Sequence, residues 1–218
     1  MPVHHPSSDL LWSVAAGQLT PNVHKIVLAH ASMCSACRAQ LDQLEAVGGA
    51  LLEDEVGSAM SAGALERALA AVTAEQGVSA QAATPDWLKS VPPAARELAA
   101  EAARRSSHAA AKGAPSLNLM HAMAANRETM ELLRIEPGKA IAAHAHEGTE
   151  YTLVLTGAFR DQRGIFAPGD LAVSDARHTH RPVAEPGETC LALIVTTAPL
   201  RFKGPLGLLQ RVMTLGRG

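Results

Sequence analysis

The chain has 218 residues, 47% of them hydrophobic, and a formal charge of −2, which is enough material for one large globular domain or two small ones. That charge balance supplies no basic face of the kind that long contacts with a phosphate backbone require, so direct nucleic-acid binding is disfavoured. Only three cysteines occur, and two of them stand three apart, which suits a metal or redox site in a reducing compartment better than a disulfide framework.

The N-terminal stretch "MPVHHPSSDLLW" has no basic segment leading into an apolar core, and no run in the chain approaches the roughly 18 apolar residues of a membrane span. The chain therefore reads as cytoplasmic, with no membrane partner. Ser8 can cap a first helix that Gly17 ends, and Thr20 with Pro21 opens a second whose Val23, Ile26, Val27 and Ala31 recur at helical spacing. "CSACRAQLDQLEAVGG" continues as a third helix stopped by Gly48 and Gly49, and "SAGALERALAAVT" is a fourth. A small helical bundle over residues 1–80 is the expected first domain.

Residues 81–113 are rich in Ala, Ser, Gln and charge, are punctuated by "TPDW" and "VPPAAR", and offer little to bury beyond Trp87 and Leu88. They read as a linker with some helix in it. From residue 114 the pattern shortens to strands, "LNLMHAM", "TMELLRI", "YTLVLTG", "LAVSD" and "CLALIVTT", with "EPGK", "APGD" and "EPGE" as turns. Short, regularly spaced strands of this kind predict an antiparallel barrel or sandwich over 114–202, followed by a loose tail, 203–218. The expected class is multidomain α + β.

Two clusters carry chemistry. On a helix, His30, Cys34 and Cys37 fall at i, i+4 and i+7, so their side chains share one face and can converge on one ion. Two thiolates and an imidazole suit Zn²⁺, and a closed site needs a fourth ligand, for which spacing leaves His4 and His5 equally eligible. A thioredoxin-like dithiol would need a βαβ setting, which this pattern lacks. In the strand region, His144 and His146 stand two apart and face the same way, and Glu150 follows a bend at Gly148. A later histidine, His178 or His180, can complete three imidazoles and a carboxylate, a set that admits several divalent metals. Cys190 alternates as a strand residue and reads as a small buried hydrophobe.

His144, His146, Glu150 and Gly157 form H-x-H-x3-E-x6-G, which resembles the first cupin motif, and "PGD" followed by His180 resembles a degenerate second one. The order of a helical domain bearing H-x3-C-x2-C, a linker and this cupin resembles the ChrR-type cupin anti-sigma factors across nearly the whole chain. "RHTHRPVAE" matches the family when His180 is aligned, and "HHPSSDLL" when His5 is aligned. The resemblance implies a first zinc on His5, His30, Cys34 and Cys37, and a second zinc on His144, His146, Glu150 and His180. It also implies an extracytoplasmic-function (ECF) sigma factor as partner, held 1:1 by the helical domain, with the cupin barrel needed for release by singlet oxygen or organic peroxide. The rival expectation is a metal-dependent cupin enzyme such as a dioxygenase, but a catalytic cupin has no need of a zinc-bearing bundle fused upstream.

Overall fold

The computed structural model describes residues 1–75, 85–110, 128–198 and 200–202. The expected strand at 117–123 and the tail lie outside them. Helix α1 (Ser8–Ala15) is capped one residue earlier than the sequence suggests, since the Leu10 amide donates to Ser7 Oγ at 3.2 Å, and Gly17 ends it at φ +65°. Helix α2 (Pro21–Met33) begins with proline at its first position, where no amide is needed. Thr20 spends its hydroxyl on Glu128, and the Glu128 carboxylate accepts from the Asn22 amide at 3.0 Å. A side chain more than a hundred residues away thus serves as the anionic cap of α2.

Helix α3 (Ser35–Glu53) runs straight through Gly48 and Gly49, which were expected to stop it. Neither glycine has a positive φ. The surrounding Ala and Leu are strong helix formers, and the cost of about 1 kcal/mol per glycine does not break the helix. Helices α1, α2 and α3 pack together around Leu11, Val14, Ile26, Val27 and Leu41. Helix α4 (Ala64–Glu75), expected as the fourth member, stays out of this bundle: Leu65, Leu69 and Val72 are all exposed.

The segment read as a linker buries more than the sequence suggests. Helix α5 (Asp86–Lys89), a 3-10 turn and helix α6 (Arg96–Ala110) bury Leu88, Val91, Ala95, Ala99 and Ala102. Small alanines conceal this packing face from a reading that looks for large apolar residues.

Strands β1 (Thr129–Ile135), β3 (Glu150–Thr156), β6 (Leu171–Ser174) and β8 (Cys190–Thr196) form one antiparallel sheet in the order β1-β8-β3-β6. Strand β2 (His144–His146) pairs with β9 (Leu200–Phe202), and β4 (Phe159–Asp161) lies between β5 (Gly164–Phe166) and β7 (Val183–Ala184). Among the described residues the backbone pairing forms these three sheets rather than one continuous ring.

Both faces of the four-stranded sheet are covered, which explains why its strands read as apolar runs with little alternation. Leu153, Leu155, Leu191, Leu193 and Val195 on its outer face share one core with Val23, Ile26 and Val27 of α2 and with α5 and α6. Leu133, Ile135, Val154, Ala172 and Cys190 face inward with Phe159 and Phe166. Because side chains alternate along a strand, Glu150 and Thr152 share the inward parity of Val154. Parity therefore aims Glu150 into the interior.

Candidate metal centres

The first cluster is built where two helices meet. His30 lies in the last turn of α2, but the chain does not continue as one helix to Cys37: Cys34 has extended dihedrals (φ −125°, ψ 105°) and separates α2 from α3. Convergence comes from this break rather than from a single helical face. His30 Nε2 is 3.3 Å from Cys37 Sγ, and His5 Nδ1 is 3.4 Å from both sulfurs. The neighbouring His4 turns away, with Nε2 3.0 Å from the Ile165 carbonyl and its ring against Phe166. The structure thus brings His5, not His4, to His30, Cys34 and Cys37.

Burial pushes the Cys37 thiol up to about 12, and the adjacent Cys34 adds to the rise. Burial also lowers His30, which favours its neutral form. The two free thiols and two imidazoles sit at the mutual spacing of ligands around one tetrahedral ion, and a cation would supply what deprotonates the thiols. The donor set fits zinc.

The second cluster lies at one end of the four-stranded sheet. His144 and His146 project from β2, Glu150 opens β3, and His180 is brought in by a backbone bridge in which His144 and His180 exchange both amide–carbonyl hydrogen bonds, at 3.1 and 3.0 Å. All four side chains are buried. His178 instead pairs with Asp175 at 2.8 Å on the loop. The structure therefore groups His180, not His178, with the other three.

The protonation of the rings follows from their outer partners. His144 Nδ1–H donates to the Ala142 carbonyl at 2.9 Å, and His180 Nδ1–H faces Asp161 Oδ2 at 3.3 Å. Their Nε2 lone pairs then meet across 2.9 Å, and His146 Nε2 is 3.1 Å from that of His180. Burial lowers His144 and takes His146 down to about 4, so added protons are a costly remedy for this crowding. A shared cation satisfies it directly. The Glu150 oxygens stand 3.6 to 3.9 Å from ring nitrogens of all three histidines, too far for hydrogen bonds. That separation suits ligands that each bind one ion at about 2.0–2.2 Å.

A family model described as the ChrR cupin-like domain matches residues 97–200. The anti-sigma-E factor ChrR of Cereibacter sphaeroides is 37% identical over 200 residues, 91% of this chain and 92% of that protein. The chain belongs to the ChrR family. The crystal structure of Rhodobacter sphaeroides SigE in complex with the anti-sigma ChrR matches it with a TM-score of 0.59 at 31% identity, covering 90% of this chain and 99% of that one. The C-terminal sheets of this ChrR-family chain are accordingly cupin-like.

One contributor to the second cluster escaped the sequence reading of this ChrR relative. Burial alone would raise the Asp161 carboxyl, but hydrogen bonds from His180 and Arg163 hold it well below the usual carboxylate range. It therefore orients His180 as an ionised outer partner. In the sequence, "DQRG" reads as a plain turn, and Asp161 does accept the Arg163 amide at 2.8 Å; its second role arises only from folding. Cys190 is fully buried, and burial followed by the charge of Glu188 pushes its thiol up to about 12, which leaves it unreactive.

Proposed function

We propose that this chain is an anti-sigma factor that sequesters one ECF-type sigma factor per chain through its helical region. In this reading residues 1–80 form the sigma-binding zinc domain, 81–113 the connection, 114–202 the cupin sensor and 203–218 a tail. One zinc is held by His5, His30, Cys34 and Cys37. A second is held by His144, His146, Glu150 and His180, and that cupin centre is needed for release of the sigma factor in response to singlet oxygen or organic peroxide. The observation that carries the reading is 37% identity, over 91% of this chain, to a named anti-sigma factor, which is a regulator rather than an enzyme.

The helical surface supports it. Leu65, Leu69 and Val72 recur at i, i+4 and i+7 on α4 and stay exposed, Leu69 at 58%. Val47, Leu51 and Leu52 of α3 are exposed as well. An amphipathic helix whose apolar stripe is exposed among the described residues is suited to burial against another protein. The first zinc would act structurally, fixing the α2–α3 junction and therefore the direction in which α3 leaves the bundle. No helix among the described residues is long and apolar enough to cross a membrane.

The deciding experiment is co-purification of the chain with its candidate sigma factor, together with an in vitro transcription assay. A stable 1:1 complex that blocks transcription is expected. Leu69→Asp should weaken that complex at least ten-fold, as loss of an interface anchor does, while leaving the fold intact. Absence of any complex between the two folded proteins would refute the proposal.

A further inference from the structure

The first metal centre is gripped by the cupin-like domain. The His30 side chain is completely buried, and its Nδ1–H donates to the carbonyl of Gly169 at 2.7 Å. A carbonyl can only accept, so this bond places the proton on Nδ1 and leaves the Nε2 lone pair facing Cys37. The next residue, Asp170, holds the arm that carries His5. Its Oδ1 accepts from the amides of Val3 at 2.6 Å and His4 at 3.0 Å, while its Oδ2 accepts from the Ala167 amide at 2.8 Å within its own turn. The Leu171 amide then donates to the His4 carbonyl at 3.1 Å. The peptide groups on both sides of His4, immediately before His5, are therefore fixed by one turn of another domain.

The fit is close. Gly169 has φ +92°, and a Cβ there would lie 2.7 Å from Pro2 Cγ, so the arm packs where a side chain would otherwise stand. The same turn leads directly into β6, whose last residue, Ser174, pairs in register with Glu150 of the second centre.

From these contacts we infer that the Ala167–Asp170 turn is a positioning element of the first metal centre, orienting His30 through the Gly169 carbonyl and holding the His5 arm through Asp170. The inference rests on the reading that His5, His30, Cys34 and Cys37 bind a metal ion. Metal retention at a helical site thereby depends on its docking to the cupin-like domain. Outer partners of ligating histidines act in this way generally, and their loss weakens metal binding about 10- to 100-fold.

The test uses the full chain loaded with Co²⁺. The second centre contains no sulfur, so thiolate-to-cobalt charge-transfer absorption reports the first centre alone. A chelator chase then gives the rate of metal loss. Asp170→Ala should accelerate loss about ten-fold, and Asp170→Asn several-fold, with cobalt retained in the second centre. Asparagine is informative because its single oxygen cannot serve both the arm and Ala167; should the alanine variant not fold, the asparagine variant decides. A wild-type rate in Asp170→Asn would overturn the inference, as would parallel loss from both centres, which would indicate general loosening. If the wild-type chain shows no thiolate–cobalt absorption at all, it is the metal reading of the first centre that fails.

Discussion

The first centre draws its four residues from an N-terminal arm, the end of α2, the α2–α3 junction and the first turn of α3, and its His5 is exposed. The second draws from two strands and a bridged loop, and all its residues are buried. Strand pairing fixes the second cluster locally, because the backbone that forms the sheet also fixes the directions of the side chains. The first cluster depends on a helix break and on contacts from a distant domain. A metal would thus have more structural work to do in the first place than in the second.

The sharpest way to break this comparison is Cys34→Ala. Structural zinc contributes on the order of 10 kcal/mol of apparent folding free energy in small peptides, comparable to the whole stability of a typical domain. Loss of the first metal, much of the bundle helicity and sigma binding is expected together, measured by metal analysis, circular dichroism and co-purification. The second metal should stay.

Glu150→Ala tests the other side. It should weaken the second centre by more than the roughly 100-fold upper range of an outer-partner loss while leaving the first metal and sigma binding in place. Reporter transcription in cells should then stay repressed under singlet oxygen or peroxide. Constitutive transcription would instead mean that the cupin supports inhibition directly.

Much of this was legible from pattern alone. Spacing found the two-apart and three-apart pairs at both centres, and family resemblance picked His5 and His180 where spacing left two histidines each. The strand series also emerged, since Val, Ile and Leu runs bounded by Pro-Gly turns have few other readings. What stayed hidden was nonlocal. Glu128 as the cap of α2 and the turn at Gly169 and Asp170 look like ordinary residues until the chain brings them against partners more than a hundred positions away, as does the alanine face of α6 until that helix packs against β1. The exposure of the α4 stripe among the described residues was equally opaque, because an amphipathic stripe has the same sequence whether it is buried in its own bundle or exposed.

Two milder substitutions sharpen the contrast. Asp161→Asn should weaken metal binding at the second centre about ten-fold, read by chelator competition, with no effect on the first. Glu128→Gln should lower stability by about 0.5–1 kcal/mol through the lost charge at the start of α2, seen as a small drop in melting temperature with both centres still loaded.

Helix α2 is held by the cupin-like region at both ends, by Glu128 at its start and by the Gly169 carbonyl at His30 near its finish. This limits how the molecule can be recombined. A helical region joined to a foreign cupin inherits a partner of the right shape class but without these two attachment points, and a β-carbon at the turn would collide with Pro2. Chains of this design are therefore not freely interchangeable modules: an exchanged cupin must bring a carboxylate just ahead of β1 and a Gly-Asp turn ahead of β6, or α2 loses both attachments.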